Sequence, residues 1–274
     1  MISMLQELFS YSFIVRALIV GILVALCAAL LGVSLVLKRY SMIGDGLSHV
    51  GFGTLAIALS LSLAPLQVSI PLVLIAAFLL LRISENSKIK GDAAIALISS
   101  SALAIGVIVI STTVGMNADV CNYMFGSILA MKKDDLYLSI AVAVIVLVLF
   151  VFFYNKIFAV TFDESFAKAT GTKTGLYNML IAFLTALVIV VGMRIMGAML
   201  ISSLIIFPAL TAMRVFKSFK KVVICAAILS VLCFFIGIVI SFAWSTPAGA
   251  SVVVVNLAAF LLFYAVGFVR AKIA

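Results

Sequence analysis

An all-α, polytopic transmembrane helical bundle with eight or nine spans is the fold that this sequence predicts, and three observations predict it. Of its 274 residues 66% are hydrophobic and 10% charged, whereas soluble domains run at roughly 45–50% apolar and 25% charged. The apolar side chains fall in runs of about 20, the length that crosses a bilayer as a helix. The charges stand in ones and twos at the ends of those runs, where membrane proteins set their orientation. A water-soluble enzyme is excluded, and residues 1–274 read as a single transmembrane domain. A net charge of +9 would point to nucleic acid in a soluble chain, but the basic residues form no patch, so lipid and not nucleic acid is the expected surroundings.

The elements follow in chain order. Residues 11–37 are one apolar run, too long for a cleaved signal and without a basic leader, so they read as a retained span. The run stops at Lys38 and Arg39. Residues 42–63 form a glycine-rich span, and 66–82 a third that ends on Arg82. Asp92 reads as the N-cap of the span at 93–115, and 136–154 gives a fifth. Residues 175–193 and 197–214 flank Arg194 with little chain between them, so one of them could be broken or re-entrant. The last two, 222–243 and 250–269, are separated where Pro247 and Gly249 break STPAGAS. Pro208 is expected to interrupt IIFPALTA in the same way. Placing the N-terminus outside and the C-terminus in the cytoplasm puts fourteen of the 18 Lys and Arg on the inner side. Cys27, Cys121, Cys225 and Cys233 form no CxxC pair and predict neither a disulfide framework nor a zinc knuckle.

The longest charged inner connection is residues 155–174. Within it Asp163 and Glu164 make an acidic start, Phe166, Ala167 and Thr170 follow at helical spacing, and Gly171 makes a stop. A short amphipathic surface helix is expected, either an ordinary solvated turn-helix or a docking element for a cytoplasmic partner. GTKTG lacks the earlier glycine of a phosphate loop, so no ATP site is expected in this chain.

The chain's single histidine stands four residues after an aspartate in GDGLSH. Asp45 and His49 therefore share one helix face, and His49 lies roughly 15 Å past the Lys38 boundary, near mid-membrane. An aspartate there costs roughly 2.5 to 3.5 kcal/mol on insertion scales and persists only with a partner, water or an ion. Asp oxygen with His nitrogen suits Zn, Mn or Fe better than copper(I). Two ligands close no coordination shell, but a homodimer facing the pair to its two-fold axis presents four. Structural glue and a proton relay are the competing readings of the same pair. Ser99, Ser100, Ser101, Ser202, Ser203 and Thr211 are expected to bond their own helix backbone. Asp119, in the outer 116–135 loop, reads as a solvated residue or, second, as a contact for an external partner, and the glycines around 44–53 and at 192 and 197 as helix crossings or subunit contacts.

GDGLSHVGFG, DAAIALISSSALAIGV, YMFGSILAMKKDDL, FDESFAKATG, MGAMLISSLIIFPALTA and STPAGASVVV, in this order, resemble the membrane permeases of zinc and manganese ABC importers, the ABC-3 family. The similarity covers nearly the whole chain. It implies a permease in the bacterial plasma (inner) membrane that works as a homodimer with two cytoplasmic ABC ATPase subunits. An extracytoplasmic metal-binding protein then delivers the ion. It further implies that Asp45 and His49, at the GDxxxH positions, line the metal path. Thr161, Phe162, Asp163, Glu164, Ser165, Phe166, Ala167, Lys168, Ala169, Thr170 and Gly171 look like the coupling helix seated in an ATPase groove. On this resemblance the chain is no enzyme, because the partner hydrolyses ATP, and it holds no permanent cofactor. Its cargo is Zn2+ or Mn2+, with the 190–256 region favouring zinc. A proton-coupled secondary metal transporter without an ATPase and a membrane scaffold without metal dependence are the other classes.

Overall fold

The first helix, α1 (Ser12–Leu37), has 26 residues; at about 1.5 Å per residue it reaches ~39 Å, beyond the ~30 Å hydrocarbon layer. The computed structural model describes residues 10–86, 91–113 and 133–273. After α1 come α2 (Ser41–Ser60), α3 (Pro65–Asn86), α4 (Gly91–Thr113) and α5 (Lys133–Phe152). Two short helices follow, α6 (Tyr154–Phe162) and α7 (Glu164–Ala169). The chain then runs through α8 (Thr174–Met196), α9 (Ala198–Met213), α10 (Phe219–Trp244) and α11 (Ala248–Ile273). No strand occurs among the described residues. Asp119, Cys121 and most of the 116–135 loop lie outside them; Asp92 falls in the first turn of α4 and its side chain is not described.

Among the described residues, eight helices are long and apolar enough to cross a membrane, and α9 is a shorter apolar one. Its 16 residues come to ~24 Å. It packs against α1 and α11. Leu200, near its start, lines one small cavity with Ile14, Met196 and Ala248 at one end. Just past its finish, the Arg214 guanidinium lies 5.6 Å and 5.0 Å from the ring centres of Phe260 and Tyr264 towards the other. The break that reverses the chain is Gly197, at φ 85°, a left-handed conformation that glycine adopts without a Cβ clash. Pro208, expected to interrupt this segment, sits inside a helix that continues through it. Proline removes one N–H, and neighbours packed around α9 hold the remaining turns in place.

Packing separates inner from outer helices. The spans of α1, α2 and α8 are 67%, 72% and 67% buried, while those of α4 and α11 are 22% and 11%. Glycines make the inner crossings close. A Cβ on Gly32 of α1 would fall inside the backbone of Ile205 of α9, and one on Gly53 of α2 would stand 2.6 Å from the Ala102 carbonyl of α4. Such approach lets backbones touch where no hydrophobic drive exists between helices in lipid. Gly32→Ala is therefore expected to cost about 1–3 kcal/mol by overpacking; a lowered unfolding temperature of the detergent-purified chain would show it. Polar ties add to the inner contacts. Ser230 Oγ donates to Ala25 O at 2.8 Å across α10 and α1, and Cys27 Sγ to Ala143 O at 3.5 Å across α1 and α5. Cys27, Cys225 and Cys233 carry no disulfide.

Candidate functional site

The glycines of α2 decide which of its faces stays open. Gly44 packs on Ile205 of α9, Gly46 on Ile95 of α4 and Gly51 on Met193 of α8, so three flanks are closed by neighbouring helices. What remains is a strip carrying Met42, Asp45 and His49, which are exposed or half-buried while the residues between them are buried. His49 and Asp45 side chains keep 22% and 40% of their surface. The spacing read from sequence thus lands both groups on one accessible face.

His49 Nε2 stands 3.7 Å from Asp45 Oδ2, too far for a hydrogen bond between them. Two donors bound at about 2.0–2.2 Å to one ion sit roughly 3–4 Å apart, so this separation is of the size that a shared ion sets. His49 Nδ1 is buried and has no hydrogen-bond partner among the described residues. The back of the strip is fastened: Ser48 Oγ donates to Asp45 O at 2.7 Å and meets Ser202 Oγ of α9 at 3.4 Å. Ser202 and Ser203 also bond their own helix, as expected from sequence, at 3.2 Å to Ala198 O and 2.8 Å to Leu200 O. No cluster of three or more His, Cys, Asp or Glu able to hold a metal occurs among the described residues. Among the described residues, one copy therefore offers two ligands here, Asp45 and His49. A groove of about 490 Å³ between α9 and α11 reaches Ser202 from the other side, but Met199, Ile206, Phe207 and Val253 make it a place for apolar atoms, not for an ion.

The expected amphipathic helix at 161–171 takes a different form. Thr161 and Phe162 are the last residues of α6, Asp163 is an extended elbow at φ −147° and ψ 96°, and α7 begins at Glu164. Asp163 Oδ1 accepts from Phe166 N at 2.9 Å and caps α7. Thr170 closes the last turn, and Gly171 at φ 81° takes the left-handed position that ends it. Sequence spacing put Phe166 and Ala167 on one face; in the structure Ala167 is buried and Phe166 is 66% exposed, with Phe162 75% exposed beside it. Ser165, Lys168 and Ala169 are exposed too. The segment is an elbow presenting two aromatic rings outward.

One contact there had no signal in the sequence. Lys38, at the end of α1, is only 6% exposed as a side chain and donates to Glu164 Oε2 at 2.8 Å, to Val160 O at 3.3 Å and to Asn178 Oδ1 of α8. Asn178 Nδ2 in turn donates to Glu164 Oε1 at 3.0 Å. Burial alone would raise the Glu164 carboxyl; hydrogen bonding and charge from Lys38, with Asn178 and Thr174, outweigh it and hold the group below the usual carboxylate range. A depressed pKa makes the link complete at neutral pH and lost only as pH falls through that lowered value. Lys38 and Glu164 are 126 residues apart, so no local pattern could pair them.

The model of the ABC 3 transport family matches residues 10–267. The chain belongs to the ABC-3 family. Among curated relatives, the manganese import system permease protein ScaB of Streptococcus gordonii is 31% identical over 95% of this chain and 93% of its own length. The high-affinity zinc uptake system membrane protein ZnuB of Haemophilus influenzae is 32% identical over 90% of this chain and 94% of its own. Among solved structures, PsaBC from Streptococcus pneumoniae, in complex with Fab, superposes with a TM-score of 0.86 at 31% identity. It covers 96% of this chain and 95% of that one. An ABC transporter of metal-chelate type in an inward-facing conformation shares the fold at TM-score 0.74 and 16% identity, over 94% of this chain and 87% of that one. For an ABC-3 member, the open strip on α2 and the aromatic elbow at 163 are the two features that call for a role.

Proposed function

We propose that this chain is the permease subunit of an ATP-driven importer of a divalent transition metal, and that the ion passes the Asp45 and His49 pair. The observation that carries the reading is the 3.7 Å separation of those two donors on the one open face of a buried, glycine-packed helix. A carboxylate and an imidazole at that depth are costly unless a partner or a passing cation meets them. Relatives named for manganese and for zinc match at 31% and 32% identity. An Asp and His set serves both ions; zinc is placed first and manganese second on the likeness of the 190–256 region to zinc permeases.

Two ligands per chain support a homodimer in which both pairs face one path; four donors strip part of a hydration shell without trapping the ion. Cytoplasmic ATPase subunits seat the elbow from Thr161 to Gly171, and an extracytoplasmic metal-binding protein loads the opposite end. This orientation follows from the distribution of Lys and Arg, with the N-terminus outside and the C-terminus in the cytoplasm. Closure of the ATPases moves the elbow, rocks the helices of the two permease copies, and exposes Asp45 and His49 alternately to the two sides.

Vesicles containing the permease, its ATPase and its metal-binding protein test the reading. ATP is expected to drive zinc uptake, with manganese a weaker competitor. Uptake by the permease alone under a pH gradient would instead establish the proton-coupled transporter, for which the same Asp and His pair could serve as relay.

A further inference from the structure

The two functional features are joined by a short and specific route. Glu164, the first residue of α7, holds the Lys38 ammonium at 2.8 Å. Lys38 is the residue that caps α1, and only Arg39 and Tyr40 separate it from the start of α2 at Ser41. The connection is stiff. Tyr40 N bonds Leu35 O at 2.8 Å and Arg39 N bonds Val36 O at 3.1 Å, while Arg39 takes a left-handed φ of 61°. That pair of bonds closes the end of α1 in a Schellman-type wrap. Asp45 then lies four residues into α2. Asn178 fastens the third side of the same node to the first turns of α8.

A buried ammonium with three acceptors is held in one geometry, because every alternative leaves a desolvated charge or amide unpaired. A displacement of α7 therefore moves the end of α1 and the start of α2 together. We propose that Lys38, through Glu164 and Asn178, is the positioning residue that transmits movement of the ATPase-docking elbow to the helix carrying Asp45 and His49. The proposal rests on the elbow being the docking element, as put forward above. It assigns to Lys38 more than the setting of membrane orientation, which any basic residue at the end of a span could do.

The experiment uses the complete importer in vesicles and reads metal ions moved per ATP hydrolysed, for wild type, Lys38→Met, Lys38→Arg, Glu164→Gln and the Lys38→Met/Glu164→Gln double variant. Co-purification of the ATPase and the unfolding temperature are recorded for each. Lys38→Met is expected to co-purify with its ATPase and hydrolyse ATP, yet to move roughly tenfold fewer ions per ATP, within the range that residues on a coupling route carry. Lys38→Arg restores most of that ratio, and the double variant falls no further than Lys38→Met, because both substitutions cut one connection. A wild-type ratio in Lys38→Met, or losses that multiply in the double variant, would overturn the proposal. If Lys38→Met does not insert, Glu164→Gln decides: its side chain is 44% exposed and glutamine keeps an oxygen for Lys38, so it is expected to fold, and an unchanged ratio there also overturns the proposal. A wild-type importer that moves no metal with ATP overturns the function itself and this inference with it.

Discussion

His49→Ala is expected to abolish ATP-driven metal uptake while the chain still inserts and binds its ATPase. The separation of these effects follows from where the ring sits. It stands on the open strip of α2, and its Nε2 is 3.7 Å from Asp45, so no hydrogen bond between them is lost on truncation. The crossings that hold α2 are made by Gly44, Gly46, Gly51 and Gly53, none of which the substitution touches. What disappears is one of two donors per chain. Loss of an outer partner of a metal ligand costs about 10–100-fold in affinity or activity, and removing the ligand itself is expected to cost at least about 100-fold. Isotope uptake into vesicles, normalised to permease content, measures it; wild-type uptake by this variant would remove the pair from the ion path.

Phe166→Asp is expected to release the ATPase. Phe166 and Phe162 are 66% and 75% exposed on an elbow that the Asp163 cap and the buried Ala167 hold in place. Exposed aromatic rings on a fixed element act as anchors when a partner covers them, and such anchors are worth roughly 2 kcal/mol or more, about 30-fold in affinity. Because the ring buries little within this chain, the isolated permease is expected to keep its yield and unfolding temperature. Affinity purification of the tagged permease with its ATPase gives the readout. Stoichiometric ATPase on the variant would place the docking surface elsewhere. The acidic pair beside it divides into two tasks: Asp163 caps α7, whereas Glu164 pairs with Lys38. Charge reversal at both positions therefore mixes a helix defect with a broken ion pair, and the aromatic substitution is the cleaner probe of docking.

Periodicity and charge placement made the spans legible. Helix boundaries in the structure, such as Ser12–Leu37 against 11–37 and Phe219–Trp244 against 222–243, differ by a few residues, the usual fraying distance of helix ends. Asp45 and His49 were legible because a four-residue spacing on a helix is local geometry. Pro208 misled, since a proline is read as a break only while the helices packed around it are unknown. The elbow at Asp163 was half-legible: its acidic start and Gly171 stop bound α7, but nothing in TFDESF says that Thr161 and Phe162 belong to the preceding helix. The Lys38, Glu164 and Asn178 node was invisible, because its members meet only after three separate segments have folded together.

The proposed function requires that a divalent ion be ligated by the single histidine of this chain. X-ray absorption at the zinc edge, on purified permease loaded with zinc, tests it most directly. An imidazole contribution to the first shell is expected in the wild type and gone in His49→Ala, with bound zinc falling in parallel. A zinc shell that is unchanged by the substitution, or that never contains imidazole, would contradict it.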